Sequence, residues 1–257
     1  MNLNFNKLKV LNPKVSIIIC TLNSEKYLTQ CLESVISQSF KDYEIIVVDG
    51  GSVDKTLLIV EVFNISKVFT DIKGGVSCAM NFGITKAIGD IIAILHSDDY
   101  YYTKDSLQLV SDCFQEKKCN WLYANLVVLK KNGSFKYNKN DIYSKEYLSH
   151  TFNIPHPTVF IKKKVYEELG LFNEHYKYAM DYDLLLRVSK KYEPFQIDKF
   201  ITVFREHEGS LSTSNWSKAQ IESLVIQQNH ADSMITKAKG IFRFIKTRLA
   251  RIKHNLK

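Results

Sequence analysis

The chain has no apolar run approaching the roughly 18 residues that a membrane-spanning helix needs. It has no C-x-x-C, and its five cysteines (Cys20, Cys31, Cys78, Cys113, Cys119) are odd in number. They therefore read as reduced, mostly buried thiols, as in a cytoplasmic protein, rather than as a disulfide framework. The opening stretch MNLNFNKLKVLNPK lacks the apolar core of a signal peptide. Internal repeats and low-complexity linkers are missing too. Acidic residues are absent from one place in particular. From Lys237 to Lys257 there are five Lys and three Arg but no Asp or Glu, which accounts for the whole net charge of +8 and leaves residues 1–236 neutral.

What is present suits one sizeable α/β domain with an appendage: 257 residues, 45% of them apolar. VSIIIC (Val15–Cys20), YEIIVVD ending at Asp49, KVFTD and IIAIL (Ile91–Leu95) read as four strands. Helical patterns lie between them. Leu28, Cys31, Leu32, Val35 and Ile36 repeat at helical spacing after Ser24, a candidate cap, and Asp54 is placed to cap the next helix. The GGVSCAMNFGITKAIGD segment opens on glycines and stops at Gly89. Near-continuous apolar strands alternating with helices predict a parallel sheet covered on both faces.

In the second half, NWLYANLVVLKKNGSFKY reads as a hairpin turning at Asn132-Gly133, and HPTVFIKKKVYEELGLF as strand then helix. MDYDLLLRVSKKY reads as a helix with acids in its first turn, and FITVFREHEGSLS as a strand entering a polar loop.

Ligands in such sheets sit beyond the carboxyl ends of the strands. Three of those ends carry polar groups: Thr21 with Asn23, Asp49 with Ser52, and Asp98 with Asp99. The last pair poses a problem, because adjacent carboxylates after a buried strand repel each other and are costly to bury unpaired. Either something positive sits there or the pair lies in an open turn.

Six stretches in order carry a resemblance: VSIIICTLNSEKYLTQCLESVISQSF, YEIIVVDGGSVDKT, GGVSCAMNFGITKAIGDIIAILHSDD, HPTVFIKKKVYEELGLFNEHY, AMDYDLLLR and FREHEGSLS. Over roughly Lys14 to Ser214 the chain resembles the family 2 inverting glycosyltransferases with the GT-A fold. The fold implied is α/β, a Rossmann-like mixed sheet, mainly parallel, with helices on both faces. To this the sequence adds a C-terminal basic amphipathic helix. The domain reading is an N-terminal extension (1–13), a glycosyltransferase domain (14–215; nucleotide-sugar half 14–99, acceptor half 100–215) and a helical basic tail (216–257).

The resemblance implies a nucleoside diphosphate sugar as donor, with a UDP-sugar favoured, and a glycan or lipid-linked acceptor in surface polysaccharide biosynthesis. It implies a hexosyl- or hexosaminyltransferase that is metal-dependent and inverting. HSDD stands where the family has its DxD motif, so Asp98 and Asp99, with His207 of REHEGS, are the expected ligands of Mn²⁺ or Mg²⁺. His96 replaces the usual first residue of that motif, and Met80 stands where the family often has Arg. Donor contacts are expected from Thr21, Asn23, Asp49, Ser52, Gly75, Asn81 and Asp98. His156 matches a position near the acceptor. Asp181 aligns with the general base, which inversion requires on the face opposite the leaving group. Each has a plainer reading, as a turn, helix cap or buried polar residue.

Two rival readings stand beside this one. Sugar-phosphate nucleotidyltransferases use a related fold but open with a Gly-rich loop after strand one, which CTLNSEKY lacks. A non-catalytic nucleotide-sugar or nucleic-acid binding module would rest on the tail. No nucleic-acid fold accompanies that tail, so no nucleic acid is expected. Its residues Ile241, Ile245, Leu249, Ile252 and Leu256 form a stripe among Arg243, Lys246, Arg251, Lys253 and Lys257. That pattern favours the inner membrane surface as partner, with a helix packed on the domain or a homodimer contact as alternatives. The expected location is cytoplasmic, peripheral on the cytosolic face of the membrane.

Overall fold

The computed structural model describes residues 14–151, 154–210 and 214–255, with side chains to residue 250. The expected N-terminal extension lies outside the described residues.

The first half alternates as the pattern predicts. Strand β1 (Val15–Thr21) leads to helix α1 (Leu28–Ile36), β2 (Tyr43–Asp49) to α2 (Thr56–Val62), and β3 (Lys67–Phe69) to α3 (Val76–Lys86), followed by β4 (Ile91–Ile94). Then come β5 (Tyr100–Tyr101), α4 (Ser106–Lys117), β6 (Trp121–Leu129), β7 (Phe135–Asn138) and α5 (Lys145–Leu148). A 3-10 turn (His156–Thr158) precedes β8 (Phe160–Lys162), α6 (Lys163–Leu169), α7 (Met180–Lys191) and β9 (Phe195–Arg205). Two helices close the chain, α8 (Trp216–His230) and α9 (Met234–Asn255).

The nine strands of the described residues form one sheet, in the order β3-β2-β1-β4-β8-β6-β9-β5 with β7 paired to β6. β3, β2, β1 and β4 are parallel neighbours. β8 is antiparallel to both β4 and β6, so β6, and β9 parallel to it, run in the direction of β4. The sheet is mixed, yet its strands are mainly co-directional. The carboxyl ends of β1, β2, β4, β6 and β9 therefore reach one edge.

Alternation along the central strands divides two cores. Ile18, Ile46 and Val48 pack with α3, α6 and α7, while Val15, Ile17, Ile19 and Val47 pack with α1, α2 and α4. The continuous apolar runs are explained by this burial on both faces. Leu28, Cys31, Leu32 and Val35 are buried on α1 as expected, but Ser24 does not cap that helix, which begins at Leu28 with Tyr27 before it. Instead, the Ser24 hydroxyl meets that of Ser97 at 2.8 Å. Asp54 does act at the start of α2, accepting from the Thr56 N–H at 2.9 Å. Cys20 and Cys31 are free thiols pushed up by burial, Cys20 to about 12.

α3 lies close to the sheet because Gly83 has no side chain. A Cβ there would stand 2.5 Å from Ile18 Cγ2 and 3.3 Å from Val48 Cγ2. Overpacking a core of this kind costs about 1–3 kcal/mol, and in a chain of this size each kcal/mol moves Tm by about 2–4 °C. Gly83→Ala is expected to lower Tm by several degrees in thermal unfolding. An unchanged Tm would show that α3 is free to shift away from Ile18.

Candidate functional site

At the shared strand edge lies a cleft of about 970 Å³, a size in the range of ligand pockets. β1 contributes Thr21, Asn23 and Ser24, β2 contributes Gly50, and the segment after β4 contributes His96, Ser97 and Asp98. β6 delivers Lys130 and Lys131, and β9 delivers Arg205, Glu206 and His207. Gly74 and Gly75, at φ +116° and +94°, start α3 at the cleft wall, in a conformation that favours glycine.

The two adjacent carboxylates point in different directions. Asp98 faces the cleft, where its Oδ2 lies 2.7 Å from His207 Nε2. Asp99 is buried and turned inward, and its Oδ1 accepts from the Arg205 backbone N–H at 2.9 Å. This corrects the expectation that both would face a metal. Burial, then the Asp98 charge, pushes the Asp99 carboxyl well above the usual range against the pull of Arg205. Its Oδ2 is a buried oxygen without a hydrogen-bond partner. Among the described residues, no three His, Cys, Asp or Glu side chains cluster as a complete metal cage.

Asp98 and His207 nevertheless fit a divalent cation whose other ligands come from a diphosphate. Mg²⁺ and Mn²⁺ sites of that kind take one or two protein ligands plus substrate phosphates.

Several expected donor contacts serve the protein itself. Asp49 is buried, with Thr21 Oγ1 and Ser52 Oγ donating to Oδ1 (2.8 and 2.5 Å) and the Gly51 and Ser52 N–H groups donating to Oδ2 (2.9 and 2.8 Å). Burial alone would raise its pKa, but these bonds outweigh burial and hold it low. Asp49 and Ser52 thus tie the turn after β2 and do not line the cleft, whereas Thr21 does. Asn81 is likewise corrected. Its Nδ2 donates to the Phe172 carbonyl and to Glu174 (2.9 and 2.8 Å), and its Oδ1 accepts from the Phe172 N–H at 2.9 Å. It fastens α3 to the segment leading toward α7.

His156 is buried behind the cleft, not in it. Its ring centroid lies 5.8 Å from that of His96 and 5.7 Å from that of Phe172. Desolvation, then His96, pushes its pKa down to about 3, so the ring is neutral. His96 lines the cleft in front of it.

Asp181 opens α7, is partly buried, and stands outside the cleft lining. Its Oδ1 accepts from the Tyr182 N–H at 2.9 Å. Desolvation, with a further contribution from Glu222, pushes its carboxyl up to about 7. Asp183 faces elsewhere, held by Arg187 (3.0 Å) and His230 (2.8 Å).

Other cleft residues carry no signal that the sequence alone singles out. Tyr27 lies under the Arg205 guanidinium at 4.5 Å and beside the His207 ring at 5.0 Å. Lys26, Lys73, Lys130 and Lys131 add cations to Arg205, against the carboxylates of Asp98, Glu206 and Glu208. Arg205 stands two residues before His207 in REHEGS, and that spacing is the one cue to it. Glu222 on α8 accepts three successive backbone N–H groups, from Lys177, Tyr178 and Ala179, at 2.8, 2.6 and 2.7 Å. It fixes the loop that enters α7.

Comparison with known proteins places this geometry. The glycosyl transferase family 2 model matches residues 16–170; Asp181, Arg205 and His207 lie beyond that match. A Mycobacterium tuberculosis protein named PGL/p-HBAD biosynthesis glycosyltransferase is 32% identical over 180 residues, 68% of this chain and 69% of its own length. Among solved structures, S. aureus TarS 1-349 in complex with UDP-GlcNAc aligns with a TM-score of 0.67 and 23% identity, covering 88% of this chain and 69% of that one. Mannosyltransferase PcManGT from Pyrobaculum calidifontis, in complex with GDP-Man and Mn²⁺, aligns at 0.66 and 16% identity, covering 88% and 67%. At these identities the structural matches speak for the GT-A fold. With the family match spanning more than half of the chain, the protein belongs to glycosyl transferase family 2.

Proposed function

We propose that this glycosyltransferase moves a hexosyl or hexosaminyl group from a nucleoside diphosphate sugar, a UDP-sugar in preference, to a glycan or lipid-linked acceptor with inversion, in surface polysaccharide biosynthesis. The observation that carries the donor reading is the meeting of Asp98 and His207 at a five-strand edge rich in cations. A diphosphate needs both features: basic side chains around it and oxygen or nitrogen ligands for its divalent cation. UDP-GlcNAc and GDP-Man in the aligned structures support the same class of donor. The mycobacterial relative is named for PGL/p-HBAD biosynthesis, and its name supports glycosyl transfer in a biosynthetic pathway here.

In this reading, Asp98 and His207 hold Mn²⁺ or Mg²⁺. When bound, the cation supplies charge neutralisation for the departing diphosphate. Lys26, Lys73 and Arg205 draw the donor into the cleft electrostatically. Leu22, 62% exposed, gives the rim an apolar surface beside Asn23 for the base. Asp181 takes the proton from the acceptor hydroxyl. A carboxyl near pH 7 suits that task, because a base works best with its pKa close to the operating pH. Glu222 and Asn81 both hold the segment that leads into α7, before Asp181, and so position it.

Asp98→Asn or His207→Ala should weaken metal-dependent UDP-sugar binding by about 10- to 100-fold, the loss of one charge-assisted contact. Calorimetry with UDP and Mn²⁺ reads this, and unchanged affinity in both variants would remove the metal–diphosphate assignment.

Asp181→Asn should keep nucleotide affinity and lose about 10² to 10⁴ in transfer rate. In the native enzyme kcat/KM should fall as pH drops through about 7, because protonation removes the base. That acid limb should vanish in the residual activity of Asp181→Asn. Normal transfer by this variant would place the base elsewhere.

Asp183→Asn should behave differently. It breaks a buried pair, for which a cost of about 3–5 kcal/mol is typical. Its signature is therefore a lower Tm at pH 7 rather than a lost catalytic step. A collapse of transfer with Tm unchanged would exchange the roles of the two carboxylates.

A further inference from the structure

Helix α9 is amphipathic in the wrong sense for packing on the domain. Met234, Ile235, Ile241, Phe242, Ile245 and Leu249 fall on one side of it at helical spacing. All six are exposed, Phe242 at 70% and Leu249 at 54%. The opposite side faces the protein. Gly240 is buried, and a Cβ there would run into the Gln227 amide on α8. Arg243 stacks on Tyr147 of α5 at 4.3 Å, and Lys239 pairs with Glu146. Apart from the half-buried Phe244, the attached side is thus polar or small, and the outward side is apolar.

The charges flanking the outward stripe say what covers it. By helical spacing Lys246 borders it on one side and Lys237 and Arg248 on the other. No carboxylate of the described residues pairs with Lys237, Lys246 or Arg248. From Met234 to the end of the chain there is no acid at all. A second copy of the chain would bring cations against cations along both borders. A nucleic-acid backbone would satisfy the cations but leave the stripe between them wet. An apolar layer beneath an anionic surface satisfies both. No helix of the described residues is long and apolar enough to cross a membrane, so the helix would lie in the interface plane.

We infer that the outward face of α9 is a docking surface for an anionic lipid bilayer. This stands apart from the donor and acceptor assignments, since the face lies on another element and uses none of the cleft residues. The apolar stripe enters the headgroup boundary, and the flanking Lys and Arg meet the lipid phosphates. The charged contribution is screened by salt.

The test is sedimentation of the full chain with vesicles of phosphatidylcholine alone or mixed with phosphatidylglycerol, across a salt series. Binding should require phosphatidylglycerol and weaken as salt rises. Lys246→Glu with Arg248→Glu should reduce binding at least about tenfold, since each basic residue near an anionic surface contributes several-fold. Phe242→Glu with Ile245→Glu and Leu249→Glu should do the same. Because Phe242, Ile245, Lys246 and Leu249 are exposed and Arg248 is half-buried with the Phe244 ring against it, Tm should hold in both variants, and a variant that fails to fold is replaced by Phe242→Ser with Leu249→Ser. No sedimentation with phosphatidylglycerol, equal sedimentation with phosphatidylcholine alone, or full binding by the folded apolar-face variant would overturn the inference. So would light scattering that shows a dimer which the apolar-face variant separates, because that assigns the face to a second copy.

Discussion

Two adjacent carboxylates at the end of a buried strand are the constraint on which the rest of this structure turns. Side by side, Asp98 and Asp99 cannot both be buried and charged without a partner. The end of β9, more than a hundred residues later, resolves the conflict. The Arg205 N–H takes Asp99 inward, the Arg205 guanidinium donates to the Asp98 carbonyl at 3.1 Å, and the His207 imidazole takes the Asp98 carboxylate outward. Stacking of the guanidinium on Tyr27 adds an α1-side wall to the same assembly. One carboxylate becomes part of the frame and the other faces the cleft. The first half of the chain could not arrange this alone, since the partners of both acids arrive on β9.

Sheet order brings those partners together. β8 runs against both β4 and β6, and this reversal lets β6 and β9 point the same way as β1, β2 and β4. Five carboxyl ends then converge. Each arrives with the polar residues that follow an apolar strand, and because those of β6 and β9 include Lys130, Lys131 and Arg205, the edge becomes a basic concavity. Low-dielectric walls focus such a potential onto anionic ligands.

What the sequence reveals follows the reach of its signals. Apolar runs and helical spacing are local, so β1, β2, β4 and the buried face of α1 are legible from residues alone. Residue types at strand ends are legible too, and Thr21, Asn23, Asp98 and His207 do meet in one cleft. Side-chain direction is not local. Asp49 and Ser52 have the composition of a ligand contact, but the D-G-G-S turn already supplies three donors to the Asp49 carboxylate and Thr21 of β1 a fourth. Asn81 looks like a polar residue near glycines, yet its amide fits the backbone of Phe172, 91 residues away. Tyr27 and Lys26 read as an ordinary helix start, and only Arg205 and His207, brought from β9, make that start a wall of the site. The short β5 gives no periodic signal, because two residues cannot show one.

The C-terminal helices are also more than an appendage. α7, which carries Asp181, is held from two directions. Arg187 reaches the carbonyls of Leu169, Gly170 and Leu171 at the end of α6. From the other direction, α8 supplies Glu222 to the loop before α7 and His230 to Asp183. That use commits the inner side of α8 to α7 and the loop that enters it. Gln227 on the same helix lays its amide against Gly240 of α9, in space that a side chain at 240 would have to displace. α9 is thereby seated through its polar and small residues, and its rotation about its own axis is fixed. With the rotation fixed, the apolar stripe has to face away from the domain. The exposure of Phe242, Ile245 and Leu249 thus follows from how α8 braces the helix that bears Asp181, and not from a loose chain end.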